Sequence, residues 1–349
     1  MRFRIQPDDW VERLALWANR APVPVAEAMF GMGVARVVMA GVRLGLYAEL
    51  TRHPATAGEL ADRLGLDPAG TGHLLACLTA LGHLRRRGDR YELRDRLRRW
   101  LDPASPTYVG TFLEFNEDQW AWWSRLEEVV RTGRGFDIHA TPPENPFWRR
   151  YVTAMYELAR LAAPEVARRL RLPPRPRRLL DLGGGHGWYA AELCRRYPTL
   201  RATVLDLPGS ARIGREVIER AGMSDRVTFV EGDFLRDDLG GPYDGVLCFQ
   251  VIHHLTPAQN VELFRRVYAA LAPDGTLAVL DYFASPRLRR PDAAFLGLHF
   301  YLTSAASTYT EADLQAWLRD AGWDRVRRVR LRRIPVQTLY EARKTGAGS

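Results

Sequence analysis

Gly183-Gly184-Gly185-His186-Gly187 follows the short run Leu179-Leu180-Asp181-Leu182 and precedes a helical stretch that starts near Trp188. Glycines at such a turn let the backbone approach a ligand closely and present amides at a helix N-terminus. A tight strand-to-helix turn without a ligand needs glycines as well, so neighbouring positions must decide. Asp206 closes the next apolar run, where a carboxylate can accept both hydroxyls of a ribose. Asp233 closes the third, within Glu231-Gly232-Asp233-Phe234, placed to hold an adenine amino group with Phe234 ready to pack on the ring. The fourth runs into Phe249-Gln250-Val251-Ile252-His253-His254. Either carboxylate alone could cap a helix; at successive strand ends, in register with the loop, they mark a nucleoside site. The dinucleotide fingerprint Gly-x-Gly-x-x-Gly lacks its last glycine, because Trp188 stands there. A pyrophosphate is thus less well provided for than the amino-acid part of a mononucleoside cofactor.

These residues need a scaffold that brings strand ends to one edge. Candidate strands at Arg178–Leu182, Ala202–Leu207, Val227–Glu231, Tyr243–Val251 and Thr276–Phe283 alternate with helical segments such as Ser210–Ala221 and Pro257–Leu271. The alternation predicts an α/β fold, a Rossmann-like doubly wound sheet with ligands at the carboxyl ends of its strands. Val326–Leu331 and Val336–Ala342 add a closing antiparallel pair. Pro173-Pro174-Arg175-Pro176 cannot continue a helix and opens this domain, 173–349.

Upstream, 1–105 is expected to be mainly helical and winged-helix-like. Gly58–Gly65 predicts a short amphipathic helix ending on glycine, and Asp67-Pro68 the cap and first residue of a second helix through Leu81. Gly82 stops it, and Leu84 to Leu93 makes a two-strand wing turning at Gly88-Asp89. A DNA-reading helix needs Arg, Lys, Asn or Gln aimed at base edges. The second helix instead carries Leu74, Leu75, Cys77 and Leu78, so the module is expected to pack or dimerise rather than read DNA. Residues 106–172 form a helical connector rich in aromatics, including Trp120, Trp122, Trp123, Phe147, Tyr151 and Tyr156. Core packing accounts for most of them; some can face a flat, apolar substrate.

The 349 residues, 46% hydrophobic and 26% charged, suffice for about two globular domains. The net charge of +9 is almost all arginine, with Lys344 the sole lysine, and by itself gives no case for nucleic acid. Cys77, Cys194 and Cys248 are too dispersed for a metal cluster and too few for a disulfide framework, which fits a reducing cytoplasm. Asp8, Asp9 and Glu12 fall where a signal peptide would be apolar. Ala26 to Leu50 is apolar but interrupted by Arg36 and Arg43, which predicts a buried helix rather than a membrane span.

Taken in series, Asp-Leu-Gly-Gly-Gly-His-Gly, Leu-Asp-Leu-Pro, Glu-Gly-Asp-Phe and Ile-His-His-Leu resemble the motifs of class I S-adenosylmethionine-dependent methyltransferases. From about Glu27 to Lys344 the chain resembles the small-molecule O-methyltransferases of the plant caffeic-acid type and their bacterial natural-product relatives, which carry an N-terminal winged-helix dimerisation domain. The resemblance implies S-adenosyl-L-methionine as cofactor, a small-molecule acceptor and a homodimer, with neither nucleic acid nor a membrane as partner. Gly183, Gly184 and Gly185 would then meet the methionine part, Asp206 and Leu207 the ribose, and Asp233 and Phe234 the adenine, with Phe249 contributing its backbone. His253 aligns with the general base and Asp281 with the acid that orients it. Tyr151 and Met155 match the positions that sandwich the substrate ring, with Trp120 as a further pocket candidate; Phe295–Leu302 would line the pocket, with His299 as a second base candidate.

A phenol with a pKa of about 10 is mostly protonated at neutral pH, and a neutral histidine can take its proton. A carboxylate on the other ring nitrogen fixes the tautomer and stabilises the imidazolium. His254 is expected to point elsewhere, as a hydrogen-bonded structural residue. The plant enzymes flank the base with a second acidic residue; Thr308 stands at that position here. That departure leaves room for C- or N-methylation, or for a relative that kept the cofactor site and changed the reaction. A winged-helix regulator whose sheet domain senses a cofactor is the reading from another class.

Overall fold

The computed structural model describes residues 6–284, 291–304, 306–332 and 336–345. The chain divides into two compact units, Met1–Glu117 and Asp118–Ser349.

In the first unit, Thr56 and Glu59 close a capping box on the helix Ala57–Leu64, which ends on left-handed Gly65. Asp67 accepts the Gly70 N–H at 2.6 Å and so caps the helix Pro68–Ala80. Leu84–Arg87 (β1) and Arg90–Leu93 (β2) pair antiparallel as a two-stranded sheet. The helix Pro68–Ala80 buries a single stripe, Thr71, Leu75 and Leu78, and leaves Cys77 exposed.

The expectation of one buried helix over Ala26 to Leu50 fails. The segment breaks at Gly45, with φ 75°, into helices Val23–Arg43 and Leu46–Arg52. The second is core, but the first buries only Met39 and Gly41. Val25 and Phe30 are 60% and 61% exposed. Apolar residues surround this helix instead of forming a stripe, so one small core cannot cover them. Its length and hydropathy suffice to cross a membrane; Arg36 and Arg43 on it both pair with Glu117, at 2.5 and 2.6 Å.

The second unit is built on a 7-stranded sheet. Its strands are Arg178–Leu182 (β3), Arg201–Asp206 (β4), Val227–Glu231 (β5), Tyr243–Phe249 (β6), Leu271–Asp281 (β7), Arg325–Val329 (β8) and Thr338–Arg343 (β9). The order is β5-β4-β3-β6-β7-β9-β8, parallel from β5 to β7, with β9 antiparallel to both β7 and β8. Leu180 and Leu182 pack on one face with Leu263 and Phe264, while Leu179 packs on the other with Ala163 and Leu193. β6 stops at Phe249, short of the expected Val251, because Gln250 turns the chain at φ 59°. Register aligns Leu182 with Leu205 and Cys248, Asp206 with Glu231, and Phe249 with Leu280. The carboxyl ends of β3 to β7 therefore share one edge, where a doubly wound sheet binds its ligand.

Candidate active site

At the end of β3, Gly183, Gly185 and Gly187 take φ of 61°, 49° and 65°, a region side chains resist. Gly184 is required for a different reason: a Cβ there would lie 2.5 Å from the Asp181 carboxyl carbon. The loop thus sits directly on a buried acid. Asp206 Oδ2 accepts the Gly185 N–H and Oδ1 the Leu207 N–H, each at 2.7 Å. Burial lifts the Asp206 pKa to about 6, against the lowering effect of these hydrogen bonds and of Ser210. Asp181, also buried, is pushed up to about 8 by desolvation and then by the charge of Asp206. Its Oδ2 has no hydrogen-bond partner in the described structure. A buried carboxyl with an unpartnered oxygen beneath a glycine loop fits a polar ligand group such as an amine, and Asp206 fits a diol.

Asp233, at the end of β5, accepts the Leu235 N–H at 2.9 Å and is 37% exposed in its side chain. It therefore caps a turn while keeping a face open. Phe234 packs against the core beside Gly183. The Phe249 ring is buried edge-on to Tyr189, 5.0 Å between centroids, so its backbone is what β6 offers at the edge.

His253 lies on the short helix Ile252–His254 just past β6, and Asp281 ends β7. Their side chains, 3% and 0% exposed as residues, meet at 2.6 Å between Nδ1 and Oδ1. Asp281 Oδ1 also accepts the Tyr282 N–H at 2.7 Å, which fixes the carboxylate. Phe300 stacks on His253 with centroids 3.7 Å apart. His254 is hydrogen-bonded as expected but does not point elsewhere: its Nε2 lies 3.0 Å from Nε2 of His253, and its Nδ1 lies 2.6 Å from Ser304 Oγ. Thr308 donates to the Ala293 carbonyl at 3.3 Å; among the described residues it is His254 that hydrogen-bonds His253 Nε2.

Aromatic rings surround these imidazoles. His139 meets His254 edge-on at 4.5 Å. Tyr151 stacks on Phe147 at 5.4 Å and faces His139 at 6.4 Å. Met155 lies one helical turn beyond Tyr151 on the helix Phe147–Arg169. His299 packs against Trp122 and Trp123, which share the helix Gly110–Trp123 with Trp120. Burial drops the pKa values of His139 and His299 to about 4, which leaves them neutral at physiological pH. Burial, then the charge of Asp206, raises the Tyr151 phenol. Sequence reasoning left out Asp181, His139 and Ser304, and included Phe300 only as part of the expected pocket-lining segment Phe295–Leu302. Asp181 was legible within the glycine motif itself; the others carry no local signal.

A model of the O-methyltransferase domain matches residues 123–324. A 3-hydroxy-5-methyl-1-naphthoate 3-O-methyltransferase of Streptomyces sahachiroi is 31% identical over 88% of this chain and 91% of its own length. A tetracenomycin polyketide synthesis 8-O-methyl transferase of Streptomyces glaucescens is 32% identical over 88% of this chain and 93% of its own. Among solved structures, human N-acetylserotonin methyltransferase in complex with SAM superposes with a TM-score of 0.82 at 22% identity, covering 98% of this chain and 100% of that one.

Proposed function

Because the chain belongs to the O-methyltransferase family and is an S-adenosylmethionine-dependent methyltransferase, we propose that it methylates a hydroxyl of a small aromatic or polyketide-like metabolite, with His253 as general base. The observation that carries this reading is the buried His253–Asp281 pair, 2.6 Å apart at the ligand edge of the sheet. The names of the two bacterial relatives, which act on a naphthoate and in polyketide synthesis, support the acceptor class.

S-adenosylmethionine, when bound, would supply a methyl group activated on a sulfonium for displacement by the acceptor oxygen. The chain supplies alignment, exclusion of water and a place for the proton. Gly183, Gly184 and Gly185 would hold the methionine part, with Asp181 beneath them. Asp206 and Leu207 would hold the ribose, Asp233 and Phe234 the adenine, and Phe249 would offer its backbone. Tyr151, Met155, Trp120 and His299 would bound the acceptor, a role that suits the aromatic surroundings of His254. Asp281, 2.6 Å from Nδ1, would hold His253 in the Nδ1–H tautomer with Nε2 free to accept.

The wider assignment is a homodimer held through a winged-helix-like region, 1–105, with 106–172 contributing to the acceptor pocket and 173–349 binding the cofactor. Its partners are small molecules rather than nucleic acid or a membrane, and its setting is the cytoplasm, which free Cys77, Cys194 and Cys248 support. His253→Ala should lower turnover by about 10²-fold or more while cofactor affinity, read by calorimetry, is kept. Unchanged turnover removes His253 from the role of base.

A further inference from the structure

We propose that Ser304 and His254 carry the acceptor's proton to His253, so that the base works through a relay instead of touching the acceptor. The proposal rests on His253 being the base, as assigned above. The hydrogen-bond donors order themselves along the chain. The Asp281 carboxylate accepts from His253 Nδ1, so that nitrogen carries the hydrogen and Nε2 keeps a lone pair. His254 Nε2, 3.0 Å away, must then donate its N–H to that lone pair. This tautomer leaves His254 Nδ1 unprotonated, and Ser304 Oγ, at 2.6 Å, donates its O–H there. Every hydrogen points from Ser304 toward Asp281.

Burial decides where an acceptor can enter this chain. His253 is 3% exposed, has Phe300 stacked on its ring, and has both nitrogens engaged. Ser304 is only half-buried, and its oxygen can still accept. The acceptor's O–H proton passes to Ser304 Oγ, and the serine hydrogen to His254 Nδ1. The hydrogen on His254 Nε2 moves to His253 Nε2. The acceptor oxygen keeps the electron pair of its O–H bond for the new bond to carbon. Ser304 and His254 end neutral, His254 in its other tautomer, and His253 ends as an imidazolium beside Asp281. The positive charge lost at sulfur is matched by that imidazolium. Burial and the neighbouring His253, His139 and His299 hold His254 well below the ordinary imidazole range, so it passes the proton on and does not store it.

Nitrogen NMR of histidine-labelled protein, without cofactor or acceptor, should find His254 as the Nε2–H tautomer and His253 as the Nδ1–H tautomer. An Nδ1–H tautomer at His254 overturns the direction of the chain. In single-turnover methyl transfer to a hydroxyl acceptor, Ser304→Ala and His254→Phe should each slow the step by about 10²-fold with acceptor affinity retained. Ser304→Thr, which keeps the hydroxyl, should restore most of the rate. Full rates in Ser304→Ala and His254→Phe, with His253→Ala crippled, leave His253 as a direct base and remove the relay. An undiminished rate in His253→Ala removes instead the assignment on which the relay stands.

Discussion

Asp181 and Asp206 lie under the same glycine loop and meet burial differently. Asp206 offsets desolvation with the amides of Gly185 and Leu207, whereas Asp181 Oδ2 has no partner. Asp206→Ala removes the group that meets the loop and should weaken S-adenosylmethionine binding by about tenfold or more, the weight of one or two charge-assisted hydrogen bonds. An unaltered dissociation constant in calorimetry contradicts the ribose assignment. Asp181 predicts a pH effect whose sign follows from its shift, from 3.8 to about 8. Between those values the unfolded chain has released this proton while the folded chain keeps it. The folded state then binds more protons, so Asp181 subtracts stability progressively as the pH rises through that window. The Tm of Asp181→Asn, measured against the unchanged protein, should gain from about pH 4 to about pH 8 and then level off. A difference that is flat with pH shows that the carboxyl is not held protonated.

At the scale of elements, the turn after β3 depends on contact as much as on dihedral angles. Gly184, unlike its neighbours Gly183 and Gly185, does not have a positive φ; what it lacks room for is a Cβ, 2.5 Å from the Asp181 carboxyl carbon. Gly184→Ala should therefore cost about 1–3 kcal/mol of stability by overpacking, read by denaturant titration; a neutral substitution shows that the loop can yield. The strands were legible because each is a short apolar run bounded by turn residues, and β3 and β5 lie on the residues expected. The glycines, Asp206 and Asp233 were legible for the same reason: a parallel sheet brings its strand ends to one edge. The surroundings of His253 were not. Ser304 lies 50 residues beyond His254, on the helix Pro291–Ser304, and no periodicity in either segment announces their meeting. Adjacent residues on a tight helical turn point apart, which is why His254 was expected to face away; its imidazole instead folds back between Ser304 and His253.

For the whole molecule, the N-terminal unit itself leaves the apolar helix Val23–Arg43 largely uncovered. Apolar content marked the helix, but content alone does not say whether the chain's own core or another surface buries it. A homodimer predicts that this face is shielded between copies. Phe30→Asp combined with Met29→Asp should then shift the mass in light scattering from dimer toward monomer while the circular dichroism of the fold is kept. A wild-type chain that is monomeric at micromolar concentration contradicts the dimer. The central step is one transfer, from a sulfonium to an oxygen. Its most direct test is incubation of the enzyme with methyl-labelled S-adenosylmethionine and a set of hydroxylated aromatic acceptors, followed by NMR of the labelled carbon. The account predicts a new methyl ether whose formation is lost in His253→Ala. Label on carbon or nitrogen of the acceptor, or cofactor that binds and transfers to none of them, would contradict it.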